Sequence, residues 1–358
     1  MGMLPFKVAG KAAGLLLGTV FAVSQCAAAA PLEAPSLSNQ SDYSEYWEQQ
    51  FLFDNNTVAT SQFLIANLPF SKHHGMMVAT LKEPGKEAVI IKNGRKRSGW
   101  NFADEEPQLS IFQHQLSGST PSFKLQLHNT AAELDVNFSA KDDAIALVAA
   151  DNKLGLPTVT LYAPSATAQA RWRDGPEIGG PGPDGAWREI GAGRGYGIHV
   201  VQTKAPNAMM KRWRRFTSIN SNGSQEPLLH AFETPDGETH FALLLVSKAG
   251  APSRFDVEDF SFSEDGKSWH VKGYSGDRKL SGEMELGGLL ETFNLKDQLN
   301  GLEKLAAGSM ADVNRLRYTA TYEFTITEGE QKTVLRGKAL AEDIQMGKVK
   351  AKRRRTRR

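Results

Sequence analysis

The sequence predicts an all-β protein made of two antiparallel β-barrels in tandem, with one short helix. Three observations carry this. Short runs of alternating apolar and polar residues recur along the chain, separated by turn signals about every ten residues, a spacing that belongs to sandwiches and barrels. Strands do not alternate with helical segments, which argues against a parallel sheet. The 358 residues are enough for two domains, on a prior of about 150 residues each, and barrels of about eight to ten strands fill them.

The elements follow in order. Residues 30–42 are polar and read as a linker or arm. The strand pattern sets in near Tyr46 and continues through Ser61–Asn67 and Met76–Lys82. A Pro84-Gly85 turn then leads to Glu87–Lys92, a hairpin signature. Lys92–Arg97 is a basic hairpin tip before Trp100-Asn101-Phe102. Leu109–Gln115, Ser122–His128, Glu133–Ser139 and Ala144–Ala149 follow at hairpin spacing. In Phe123, Leu125 and Leu127 against Lys124, Gln126 and His128 the alternation implies one buried and one wet face. Gly175–Gly185, rich in Gly and Pro, reads as a loop. Strands resume at Gly191–Gln202, Arg212–Asn220, Leu228–Thr234, Thr239–Ser247, Arg254–Phe262, Ser268–Tyr274, Lys279–Leu286 and Leu289–Leu295. Leu299, Leu302, Leu305 and Ala306 recur at helical spacing and predict the short helix. Arg317–Thr327 and Lys332–Leu340 close the pattern.

The ends differ from the body. Residues 1–29 read as a secretory leader: Lys7 and Lys11, an apolar run Ala12–Val23 too short to span a bilayer, and small residues Ala27–Ala29 for cleavage. The expectation is an exported, periplasmic or extracellular protein. Cys26 is the sole cysteine and falls inside the leader, so neither a disulfide framework nor thiol chemistry is expected. Residues 348–358 form a basic tail with no apolar periodicity, expected to be disordered and suited to an anionic membrane surface. Of the 42 basic residues, two lie in the leader and eight in the tail, leaving 32 against 40 acidic ones, a body charge of −8. That balance argues against a nucleic-acid partner. The eight histidines form no metal-binding spacing, so no metal is expected, and no cofactor is expected either. Gly191–Gly197 is not a dinucleotide fingerprint, because Tyr196 stands at the third glycine position and no helix follows. No Gly-x-Ser-x-Gly elbow occurs.

The most informative stretch is Gly191–Phe216. Gly191, Gly193, Gly195 and Gly197 share one strand face, followed on that face by His199, so about 20 Å of strand lacks side chains at about 3.3 Å per residue. Such a face marks a bend, a close approach of another backbone, or a place where a ligand lies. His199 reads either as a head-group ligand or acid–base group, or as a buried barrel histidine. Arg212 and Trp213 read as a ligand clamp or as a structural pair that closes a barrel. Trp100, Tyr196 and Glu233 complete the candidates.

The Gly193–Trp213 pattern, IHVVQTKAP…MMKRW, resembles the two-barrel lipocalin-like family of the oxidative-stress survival factor, whose clan holds AttH-like proteins and carotenoid 1,2-hydratases. Thr60–Asn67, Trp100–Phe102 before Ile111–His114, and Phe232–Pro235 agree with it. The resemblance spans about residues 43–345. It implies lipocalin-like barrels over 43–205 and 206–347, and a cavity for a lipid, sphingolipid or isoprenoid. Around His199 the sequence Ile-His-Val-Val-Gln departs from the acidic and Trp residues of the hydratase branch. The first expectation is therefore a carrier of an apolar ligand. The rival is a hydratase, isomerase or cyclase with His199 as acid or base, and a third reading is a scaffold with filled barrels and no ligand. Two acidic residues facing His199 inside a cavity would favour the rival, and a smooth apolar cavity with one polar end would favour the carrier.

Overall fold

The computed structural model describes residues 31–68, 71–95, 99–140, 143–247, 251–294, 297 and 313–347. The leader, the helix expected at Leu299–Ala306 and the basic tail lie outside the described residues. The architecture is all-β: a rolled twelve-stranded antiparallel sheet followed by a closed eight-stranded barrel. Between them stands a single four-residue helical turn, α1 (Pro206–Met209).

The first unit comprises β1 (Ser44–Phe53), β2 (Val58–Leu68), β3 (Ser71–Lys82), β4 (Val89–Arg95), β5 (Trp100–Ala103), β6 (Gln108–Ile111), β7 (His114–Ser119), β8 (Ser122–His128), β9 (Ala132–Ser139), β10 (Ile145–Val148), β11 (Thr158–Asp174) and β12 (Arg188–Gln202). The ladder runs β4-β3-β2-β1-β12-β11-β9-β8-β7-β6-β5, with β10 beside β11. Its two ends come together through side chains. Trp100 on β5 donates its indole N–H to the His73 carbonyl on β3 at 2.7 Å, and its ring covers Gly75, where a Cβ would come within 2.7 Å of it. Trp100 therefore closes the roll.

The second unit is β13 (Arg212–Ser221), β14 (Gln225–Glu233), β15 (Thr239–Ser247), β16 (Ser253–Phe262), β17 (Ser268–Ser275), β18 (Arg278–Asn294), β19 (Val313–Glu328) and β20 (Gln331–Met346). Each strand pairs with the next, and β20 returns to β13. The two strands expected at 279–286 and 289–295 are one bulged strand, β18. The Gly175–Gly185 loop contains two single turns of 3₁₀ helix, at Pro176–Ile178 and Gly182–Asp184.

Alternation sorts the residues into three apolar layers. Odd residues of β1 to β3, such as Trp47, Phe51, Phe63, Ile65 and Met77, fill the first barrel together with Phe123, Leu125, Leu127 and Phe138. Phe216, Leu243, Phe255, Trp269, Met284 and Phe324 fill the second. The third layer lies between the barrels. There the even residues Tyr46, Leu64, Tyr196, Ile198 and Val200 meet Trp213, Phe232, Leu244, Leu340 and Ile344.

This sandwiching buries β1 on both faces: all ten of its residues, SEYWEQQFLF, are buried. Two glutamates and two glutamines are therefore taken out of water and require partners. Where those partners come from positions the candidate site.

Candidate functional site

The glycine face of β12 looks into the first barrel, and neighbouring rings occupy it. A Cβ on Gly193 would lie 2.6 Å from the Phe53 ring, and one on Gly195 would lie 2.6 Å from the Phe51 ring and in hard contact with the Gln50 carbonyl. One on Gly197 would strike the Tyr162 ring. Of the three meanings such a face carries, the structure shows close approach of the β1 backbone and its aromatic side chains rather than an open ligand surface.

His199 follows on the same face. Its ring stacks on Trp47, directly across the ladder, with centroids 4.6 Å apart and planes 13° from parallel. Nδ1 meets the Glu33 carboxylate at 2.7 Å and Nε2 meets the Glu45 carboxylate at 2.7 Å. Glu45 also accepts from the Tyr43 hydroxyl and, at 2.9 Å each, from the backbone N–H and hydroxyl of Ser36. Burial alone disfavours a charged imidazole, but hydrogen bonds and charge from Glu33 and Glu45 outweigh it and raise the His199 pKa. The hydrogen bond from His199 in turn lowers the Glu33 pKa. Burial works against ionised Glu45, yet His199 and Tyr43 hold its pKa below the ordinary value. The unit is an imidazolium between two carboxylates.

Behind it, on the other face of β1, Glu48 reaches into the second barrel's wall. Arg215 donates to it at 2.8 Å, Arg315 at 3.2 Å and Arg317 at 3.5 Å. Glu342 pairs with Arg215 and, at 2.9 Å, with Arg317; Glu291 pairs with Arg317. Three carboxylates thus face three guanidiniums. Burial would raise the Glu48 and Glu342 pKa values, but the arginines hold both down. His230 sits beside this cluster, fully buried, edge-on to Trp213. Both its ring nitrogens lack a hydrogen-bond partner among the described residues. Burial first, then the charge of Arg215, pushes its pKa well below the ordinary value, so it is neutral. A crevice beside Glu48, Thr80, Glu291 and Arg317 is too narrow for water. A groove of about 930 Å³ opens elsewhere, along Lys124, Asn137, Ser139, Thr167, Gln169 and Arg194.

The candidates named from sequence do not converge. Tyr196 projects opposite His199, into the layer between the barrels. Arg212 and Trp213 cannot clamp one ligand, because adjacent strand residues point to opposite faces. Arg212 pairs with Asp343, at 2.5 Å through Nε, while Trp213 stacks on Phe232 between the barrels. Glu233 pairs with Lys211 at 2.5 Å, and Trp100 is the closing residue of the first sheet. Sequence reading missed Glu33, Glu45 and Trp47 around His199, and Glu48, Arg215, Arg315, Arg317, Glu342 and His230 between the barrels. One signal was present: charged residues repeated inside strands, as in Glu45-x-x-Glu48 and Arg315-x-Arg317.

No family model matches the sequence, and no curated protein matches it. Solved structures do. The AttH-like protein of Nitrosomonas europaea superimposes with a TM-score of 0.54 at 8% identity, covering 85% of this chain and 92% of that one. CghA bound to Sch210972 gives 0.57 at 7%, covering 89% and 95%. Kievitone hydratase from Nectria haematococca gives 0.50 at 11%, covering 87% and 91%. The chain has the lipocalin-like two-barrel fold of these proteins. At such identities the likeness is one of fold.

Proposed function

We propose that the protein is an acid–base catalyst of the hydratase, isomerase or cyclase kind, acting on an apolar small molecule with a conjugated carbonyl group. The observation that carries this reading is His199, an imidazolium held between two carboxylates at a barrel mouth. Glu45 accepts the hydrogen bond of Nε2–H and keeps the ring oriented and charged, as a carboxylate does behind a catalytic histidine. Nδ1–H then points toward the mouth. A substrate carbonyl oxygen that takes the place of Glu33 there receives this hydrogen bond, which strengthens as negative charge develops on the oxygen. The conjugated double bond becomes electrophilic, open to water or to a ring-closing nucleophile; Nδ1 gives its proton to the enolate that forms and takes back the one the added nucleophile loses, so the ring returns to its charged form. Trp47 supplies an apolar floor under the ring.

The fold supports the reading, since it occurs in a protein named a hydratase and in one solved with a bound small molecule. The carrier reading expected first makes no use of the two carboxylates on His199. The leader read in residues 1–29 would make this an exported activity. The test is incubation of the protein with a panel of apolar enones, followed by loss of their conjugated ultraviolet absorbance. Turnover should fall by roughly 100-fold or more in His199→Ala, the scale of a lost acid–base group. Undiminished turnover in that variant would remove His199 from the chemistry. If no enone is turned over but a ligand co-purifies by native mass spectrometry, the carrier reading stands instead.

A further inference from the structure

The segment ahead of β1 is more than a linker. It runs as a strap across the mouth of the first barrel. Pro31 bridges to Ser119, and the Leu32 N–H donates to the Gly118 carbonyl at 3.2 Å, both at the end of β7. The strap then passes over His199 and Glu45. It ends against the last residues of β2, where the Asn67 side chain donates to the carbonyls of Ser38 at 2.9 Å and Gln40 at 2.6 Å. Apart from the single bridge at Pro31, residues 31–40 carry no strand pairing. The strap can therefore lift without breaking a ladder of the sheet.

Two adjacent strap residues make unlike contacts. The Leu32 side chain is 2% exposed and belongs to the apolar core of the first barrel. Glu33 places its carboxylate on His199 Nδ1 while its side chain remains 51% exposed. Side by side, the strap presents an apolar body and an anion, the two parts of an acyl carboxylate. Lifting it would vacate the Leu32 slot and leave a buried imidazolium with a partner on one nitrogen only. The Nδ1–H that Glu33 covered then faces the opened mouth, where an incoming oxyanion gains a charge-assisted hydrogen bond that a neutral group does not, so the vacated site prefers an anionic replacement. A neutral amphiphile fills the slot but not the charge.

We propose that the strap Pro31–Asp42 is a built-in occupant of a ligand site at the mouth of the first barrel, and that Leu32 and Glu33 imitate an amphipathic oxyanion, a carboxylate or enolate joined to an apolar body. This rests on the reading of His199 as the group that receives a developing oxyanion, and it names the substrate class for that site. The apparent affinity of such a ligand is reduced by the fraction of protein with the strap open. Weakening the strap's anion should therefore tighten binding.

The test uses decanoate and decan-1-ol below their aggregation limits, titrated into the full chain by isothermal calorimetry and by tryptophan fluorescence, to which Trp47 contributes. Glu33→Ala should bind decanoate roughly tenfold or more tightly than wild type, by relief of that closed-state reduction, with decan-1-ol unchanged. Glu33→Gln, which keeps the side chain's shape, should give a gain of the same sign. His199→Gln in the Glu33→Ala background should abolish the gain. The proposal is overturned if both Glu33 variants keep the wild-type far-ultraviolet circular dichroism and show no gain for decanoate, or if decan-1-ol gains equally. The binding readout is independent of turnover. A decanoate gain without enone turnover keeps the site and sinks the catalytic reading; enone turnover without a decanoate gain sinks the site alone.

Discussion

Glu48→Gln tests whether the two barrels are joined by charge as well as by apolar contact. Glu48 is 1% exposed on the first sheet, and the three guanidiniums it meets all belong to the second barrel. With Glu48, Glu291 and Glu342 against Arg215, Arg315 and Arg317, the cluster balances three negative charges with three positive ones. Glutamine keeps the shape and removes one charge, so the buried cluster is left with a net +1. Removing one partner of a buried ion pair costs about 3–5 kcal/mol, because the other charge stays buried and uncompensated. The amide oxygen still accepts one hydrogen bond, which places the expected loss near the lower end, about 3 kcal/mol. Urea unfolding followed by tryptophan fluorescence reads it, and Trp213 lies within the interface layer. The double variant Glu48→Gln with Arg315→Met restores the charge count and should recover part of the loss, since neighbouring groups are not additive. A loss below about 1 kcal/mol, the range of an exposed pair, would show that the barrels are held by apolar contact alone and that water reaches the cluster.

Two further outcomes follow from the same geometry. Gly195→Val should destabilise by about 3 kcal/mol or more, at or beyond the usual range for overpacking, because its Cβ meets the Gln50 carbonyl and the Phe51 ring; wild-type stability in thermal denaturation would mean that β1 and β12 are not this close. The folded-state pKa of His230 is depressed, so its contribution to stability is present above its unfolded value of about 6.5 and is lost as pH falls toward the folded pKa. Stability measured between pH 7 and pH 5 should therefore drop, and His230→Phe should flatten that part of the profile; an unchanged slope in the variant would assign the acid sensitivity to other groups.

The sequence by itself determined the all-β architecture, because strand alternation is a local property of period two. Phe123, Leu125 and Leu127 face inward as their spacing requires. It left β11 unread, because local geometry hides that strand. Pro164 interrupts it, Ser165 adopts a positive φ of 47°, and the ladder to β12 shifts register three times. The separation of Arg212 from Trp213 was legible in principle, since neighbours on a strand face opposite ways. The partners of His199 were not, for Glu45 and Glu33 lie 154 and 166 residues away in sequence, and only strand order and a strap across the mouth bring them to one ring. The same holds for Glu48. A glutamate in a strand ordinarily faces water, and it faces three arginines here because the second barrel docks on the outer side of β1. Docking of one barrel on another leaves no period in the sequence. The tertiary structure alone decided which charges were buried and which of them meet.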